Sequence, residues 1–486
     1  MDKQAEKIIE FLKENGASYG DIRIHLYDES ESFQTLNGVL QEISSASSQG
    51  IGIRVLYEGA WGFASTEDFS NLESCAKAAL KNAKIASGLI DLKIELAPKE
   101  IYQDSFSSPV GIDPFTVKSD EKIKLLLELD GTIKHERLSY WSVFATFYKK
   151  KILFFDTEGT RVERILHDIN AGLIAFANDS HGKQQRRSHN LYLDADGTTG
   201  WECIVSDRLF LSHAARIKNE LLDVIEAKKC PHQVCDLILL NEMMALQVHE
   251  TIGHALELDR ILCYELSYAG GSHVDLDDFG RLRYGSEKLN VRADGTVRNS
   301  PGSVGYDDDG VKAKNVVLIE KGILKSAITS RQMVMEANKK AGKVIFENSG
   351  GANRAASYNR LPIERMNNIN VDPGDDGDLA QLIAGCENAL LVESPVSWSI
   401  GSNRENFHFA TEIGWEIRDG KIVRVIKNPS YGGRTVEFWN SLAKVGNSKT
   451  WQLQQVFNCG KGEPNQIMRL GHGVPVCLFK NVEVGI

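Results

Sequence analysis

Residues 249 to 254 read HETIGH, in which His249 and His254 enclose Glu250 directly after the first of them. This is the inventory of a zinc hydrolase. Neutral imidazoles ligate the metal, and a carboxylate beside them takes a proton from the water that the metal acidifies. In the familiar motif the two histidines stand four residues apart on one helical face. Here they stand five apart. Five residues of regular α-helix turn the chain by about 500°, leaving the side chains roughly 140° apart and unable to grip one ion. A one-residue π-bulge brings positions i and i+5 close to alignment, and such bulges gather at functional sites. The spacing therefore predicts a bulged helix, with Gly253 inside the turn that deforms. The competing reading is two histidines that meet by chance on a surface helix. Glu250 weighs against it, because a sparingly charged helix has few structural reasons to present His, Glu and His together.

A catalytic zinc needs a third protein ligand. Glu257 and Asp259 lie just downstream, and Cys459, His408 and His472 lie far along the chain; spacing does not choose among them. Cys459 sits in FNCGKGEP, where glycine allows close backbone approach and Lys461 would favour the thiolate. Asn353, Arg354 and His408 are candidate donors to a developing oxyanion. Other motifs are weaker. Cys230 and Cys235 flank His232, but no second pair at zinc-finger spacing answers them. Gly50 and Gly52 lack the third glycine of a dinucleotide loop. Asp275, Asp277 and Gly280 resemble the start of a calcium loop, yet Ser286 stands where a glutamate is required. Asp307 to Asp309 reads as a turn.

The elements that must position HETIGH follow from periodicity. A buried strand, CDLILL, leads into a helix beginning near Asn241, whose Met244, Val248, Ile252 and Ala255 share the face that buries it. Upstream, Ala5, Ile8, Ile9 and Leu12 mark a first helix, and residues 50 to 66 read as a hairpin turning at Glu58 and Gly59. Ser70 with Glu73 forms a capping box for a helix over 71 to 86. A helix near 119 to 136, strands from Tyr140 to Asn178 with a turn at 156 to 161, and a helix from about Asp207 to Lys228 stopped by Pro231 make a second unit. Beyond it, hairpin signals recur at Lys321-Gly322 and Asp419-Gly420. The expected fold is α+β. N-terminal helix and antiparallel-sheet units occupy 1–100 and 101–230, and a β-rich C-terminal domain, 231–486, carries the metal-binding helix.

Composition narrows the function classes. A formal charge of -10 argues against a nucleic-acid partner, because phosphate binding needs clustered Lys and Arg. The nearest basic run to such a cluster, KQQRR at 183 to 187, reads as a solvated loop. No apolar run approaches the roughly 18 residues that cross a bilayer, and the charged start MDKQAEKIIEF does not resemble a signal peptide. The expected setting is cytoplasmic, with no membrane partner. Eight scattered cysteines do not form a disulfide framework and read mostly as buried thiols.

The HETIGH helix together with Cys459 resembles the TldD branch of the TldD/PmbA family, often labelled modulators of DNA gyrase and understood as metallopeptidases. The resemblance covers nearly the whole chain. It is carried by GIGIRVLYEGAWGFAST (50 to 66), YDDDGVKAKNVVLIEKGILKSAITSR (306 to 331), ANRAASYNRLPIERMNN (352 to 368) and CGKGEPNQIMRLGHGVPVCLFKNVEV (459 to 484). Position by position, it implies that His249 and His254 are zinc ligands, Cys459 the third, and Glu250 the base. It also implies a dimer enclosing the active sites, with itself or with a metal-free PmbA-like partner, and access limited to flexible or unfolded peptides. Residues 393 to 411 and 428 to 442 match less closely and are the segments expected to shape substrate choice. The expected activity is that of a zinc-dependent peptidase on small or unfolded peptides. Two imidazoles and a thiolate favour zinc and leave iron open. The alternative is a non-catalytic, peptide-binding partner with a structural metal site. Glu250 discriminates, because a structural site needs no base beside its ligand.

Overall fold

Long runs of alternating apolar residues dominate the first half of the chain, and in the computed structural model they form one antiparallel-rich sheet. The structure describes residues 1–486 apart from Ala195, Ser206 and Asp207. Helix α1 (Asp2–Glu14) buries Ala5, Ile8, Ile9 and Leu12, as their spacing predicts. Strands β1 (Tyr19–Leu36), β2 (Val39–Tyr57) and β3 (Ala60–Thr66) follow. Glu58 and Gly59 both take positive φ, 47° and 79°, in the two-residue turn between β2 and β3. Helix α2 (Leu72–Ser87) lacks the predicted capping box. Asp68 instead accepts the Ser70 N–H, and Glu73 pairs with Lys77 one turn on. The carboxylate two residues upstream outcompetes the hydroxyl.

After β4 (Gln103–Ser107) and α3 (Ser119–Ile133), strands β5 (Leu138–Asp156), β6 (Arg161–Asn178) and β7 (Gln184–Asn190) complete the sheet in the order β3-β2-β1-β5-β6-β4, with β7 on β6. Because β1 pairs with β5 along its length, strands from 1–100 and from 101–230 share a single sheet. Helices α1 and α2 close one apolar cluster on it, while α3 and the helix Arg208–Glu226 close a second. Asp207, the predicted start of that last helix, lies outside the described residues. The helix ends at Glu226, before the strand Lys228–Lys229, so Pro231 is not its stop.

The run KQQRR is not a solvated loop. Most of it belongs to β7, and Arg187 is fully buried, its Nη atoms 2.6 to 3.0 Å from Glu220, Glu393 and Glu412. Acidic partners far along the chain draw it inside.

The second half is β-rich. Gln233–Leu239 runs parallel to Asn388–Ile400 on one side and antiparallel to Cys477–Val484 on the other. That central position explains the unbroken apolar run Leu237, Ile238 and Leu239, all completely buried. The predicted turns hold, with positive φ at Lys321, Gly322, Asp419 and Gly420. Gln452–Lys461 and Gln466–Val474 form a separate hairpin. The two halves are tied by buried ion pairs. Asp308 meets Arg164 at 2.5 Å and Asp309 meets Arg54 at 2.7 Å, so the turn at 307 to 309 is also an anchor. All eight cysteines are free, and six are buried. Among the described residues no helix is long and apolar enough to cross a membrane.

Candidate metal centre

The strand Gln233–Leu239 delivers the chain into the helix Asn241–Val248, which passes into a π-helical turn, His249–Gly253. The His254 N–H donates to the His249 carbonyl, five residues back. This is the bulge that the histidine spacing demands. Met244, Val248, Ile252 and Ala255 are completely buried on the opposite side. Gly253 is required by close packing, because a Cβ there would lie 2.2 Å from Met366 Sδ. The widened turn brings the His249 and His254 rings to 4.6 Å between centroids.

Cys459 reaches them from the hairpin strand Gln452–Lys461, whose register is broken between Val456 and Cys459. That bulge re-aims the strand beside the helix. Its Sγ lies 3.6 Å from His254 Nε2, and one donor atom from each of His249, His254 and Cys459 lies within 4.8 Å of the others. All three residues are buried. Two imidazole nitrogens and a sulfur at this spacing suit a divalent transition metal.

Of the remaining candidates, His472 and Glu257 contact the two histidines from outside rather than join the three, and Asp259 pairs with Lys461. His472 Nδ1 lies 2.9 Å from the Ile369 carbonyl, which can only accept, so that nitrogen carries the proton. Burial holds the His472 ring neutral, far below its usual pKa. Its Nε2 therefore accepts from His249 Nδ1 at 2.8 Å, which leaves the His249 Nε2 lone pair free for a metal. Glu257 does the same for His254, with Oε2 2.9 Å from Nδ1. Although burial disfavours its charge, Lys461, Arg260 and His254 hold the Glu257 carboxyl well below the usual range. Burial lowers the pKa of both His249 and His254, keeping them in the neutral form that binds metals. Burial alone would raise the Cys459 thiol, but His254 and Arg365 bring it below its ordinary value.

Lys461 does not serve the thiolate. Its Nζ is 2.7 Å from Asp259 and 3.3 Å from Glu257. Arg365 takes that place, with Nη2 3.2 Å from Cys459 Sγ. Nothing in the sequence near Cys459 points to it, since the two residues are 94 apart. The oxyanion candidates lie elsewhere. Asn353 binds Asp309, Arg354 binds the Met366 carbonyl, and His408 lies against the C-terminal carbonyl of Ile486. None of them lines the cavity at the centre. Cys230 and Cys235 are buried thiols, with pKa values pushed up by burial to about 11 and about 12.

The centre opens on a cavity of about 710 Å³ whose wall includes His249, Glu250, His254 and Cys459. Among the described residues no hydrogen bond or ion pair engages the Glu250 carboxylate. The group is thus free to hold a water or a substrate proton. Phe144, Leu246, Trp398 and Phe457 add apolar surface to the same wall.

Residues 232–486 match the PmbA/TldA metallopeptidase C-terminal domain, and residues 21–83 match domain 1 of the same metallopeptidases. The protein named Metalloprotease MJ0996 from Methanocaldococcus jannaschii is 30% identical over 96% of both chains. A zinc metalloprotease TldD homolog from Saccharolobus solfataricus is 24% identical over 99% of each. Among solved structures, a protein described as a modulator of a DNA gyrase from Thermotoga maritima superposes with a TM-score of 0.75 at 16% identity, covering 100% of both chains. TldE from Thermococcus kodakarensis gives 0.72 at 14% identity, covering 99% of each. On the family match and the full-length relatives, the chain belongs to the TldD/PmbA family of metallopeptidases.

Proposed function

We propose that the protein is a zinc-dependent peptidase in which His249, His254 and Cys459 hold the metal and Glu250 is the general base. The observation that carries this reading is the buried His-His-Cys cluster beside an unpaired glutamate on a cavity wall. The donors fit zinc by chemistry and by preparation: both imidazoles have Nδ1 engaged, so Nε2 is available without rearrangement. Zinc bound there would polarise a peptide carbonyl and acidify water toward neutrality. Glu250 accepts the proton of the attacking water and passes it to the leaving amine. The apolar wall excludes solvent and holds the peptide against that carboxylate.

The substrate class is small or unfolded peptides, which can thread a cavity of this size. An extended peptide adding to a sheet edge would be read through its backbone and would suit broad specificity. Residues 231–486 act as the peptidase domain, and the working form is a dimer, with a second copy or with a metal-free PmbA-like chain. The test is metal analysis of the purified protein with cleavage of an unstructured peptide library, before and after chelation. Zinc recovered with the protein, and activity lost on chelation and restored by zinc, support the reading. A protein that binds no zinc when zinc is supplied contradicts it.

A further inference from the structure

Arg404 lies on the same cavity wall and has no place in the chemistry described so far. It is 8% exposed, and its backbone takes φ +64°, a left-handed conformation that a residue with a side chain adopts only when its surroundings impose it. The surroundings do so. Its N–H donates to the Gly401 carbonyl at 2.8 Å, and its own carbonyl accepts from the Thr435 hydroxyl. The guanidinium is held as firmly, with Nη1 3.3 Å from the carbonyls of Gly401 and Ser402 and Nη2 2.7 Å from that of Ala269.

These partners are all neutral. Among the described residues no carboxylate pairs with Arg404, and its buried Nε has no hydrogen-bond partner. Arg260, the other arginine on this wall, is by contrast paired with Glu257 at 2.7 Å. Burial, followed by the like charge of Arg260, depresses the pKa of Arg404, while the fields of Glu250, Glu257 and Glu405, none of their carboxylates in contact with it, oppose the change. A neutral donor would satisfy loop carbonyls without the cost of burying a charge. Strain, burial and a charge with no carboxylate in contact thus meet in one residue beside the candidate metal centre.

We propose that Arg404 is the receptor for a carboxylate of the peptide substrate, positioned in the cavity that leads to Glu250. A planar guanidinium matches a carboxylate with paired, charge-assisted hydrogen bonds, and the ligand would supply the direct carboxylate contact that the protein does not. The carboxylate is the C-terminal group of a short peptide or the side chain of an acidic residue. This inference rests on the reading of the cavity as a peptide site, and its test is kept separate from cleavage.

The test is calorimetric binding to zinc-loaded Glu250→Gln protein, with and without Arg404→Gln or Arg404→Lys. Three probes are compared: an uncharged-side-chain hexapeptide as free acid, the same peptide as C-terminal amide, and the amide with one Asp introduced. The proposal expects the free acid or the Asp-containing amide to bind about 10- to 100-fold tighter than the plain amide. Arg404→Gln abolishes that ratio, and Arg404→Lys restores part of it. Preference for the free acid identifies the terminal carboxylate, and preference for the Asp peptide identifies a side chain. Equal affinity for all three probes, or a preference that survives Arg404→Gln, overturns the proposal. A purely structural Arg404 would change all three affinities together and leave their ratios intact. Failure of the peptidase reading would show separately, as zinc-loaded wild-type protein that cleaves none of these peptides.

Discussion

His472 Nε2 lies 2.8 Å from His249 Nδ1, and the Ile369 carbonyl on the far side of the His472 ring decides where the proton between them sits. On the proposed assignment of His249 as a metal ligand, His472 orients its imidazole rather than serving as a ligand itself. His472→Ala is expected to weaken zinc binding about 10- to 100-fold, as loss of such supporting groups does elsewhere. Competition against a chromophoric chelator measures it, and an unchanged affinity would show that the pair does not orient His249.

Gly253→Ala tests the widened turn. The new methyl would lie 2.2 Å from Met366 Sδ in a site with no exposure at Met366, so the turn or the core must shift. Overpacking of this kind costs about 1–3 kcal/mol. A lowered denaturation midpoint together with weaker zinc binding is expected. A variant as stable as the parent would mean that the turn tolerates a side chain.

Histidine burial gives a pH dependence away from the metal. Burial, with the charges of His213 and Arg216, lowers the pKa of His189 from 6.5 to about 3, and its ring stacks on His213 with centroids 3.8 Å apart. A depressed folded-state pKa means that the unfolded chain takes up the proton first. The stabilisation is full above pH 6.5 and falls as pH drops toward 3, by at most about 1.4 kcal/mol per unit for one proton. Thermal melts of metal-free protein between pH 7.5 and 5 should show this slope, and His189→Leu should flatten it. An equal slope in the variant would assign the effect to other groups.

The anchor between the two halves is equally exposed to test. Asp308→Ala leaves the buried guanidinium of Arg164 without its 2.5 Å partner and removes the more distant charge, 3.8 Å away, from Arg23. Removing one member of a buried pair costs about 3–5 kcal/mol. Urea denaturation reads the loss, and a change below about 1 kcal/mol would show that water replaces the carboxylate.

What the sequence reveals here is what local spacing controls. The five-residue interval in HETIGH requires a π-turn, Glu58-Gly59 requires a tight turn, and the CDLILL run requires a strand buried on both faces. The chain hides what distant segments decide. Arg187 looks like part of a solvated basic run until Glu220, Glu393 and Glu412 fold around it. Lys461 looks like the cation for Cys459, yet the ion pairs of Glu257 and Asp259 claim it and leave Arg365 for the sulfur. Glu257 and His472 carry ligand chemistry, and only the fold turns them toward the outer nitrogens of the metal-facing histidines.

The central claim is that Glu250 does chemistry at a centre held by His249, His254 and Cys459. Zinc content and peptide cleavage measured on the same preparations of wild type and Glu250→Gln test it most directly. The account predicts about one zinc per chain in both and a cleavage rate lower by about 10²- to 10⁴-fold in the variant. Undiminished cleavage by zinc-replete Glu250→Gln protein would contradict it.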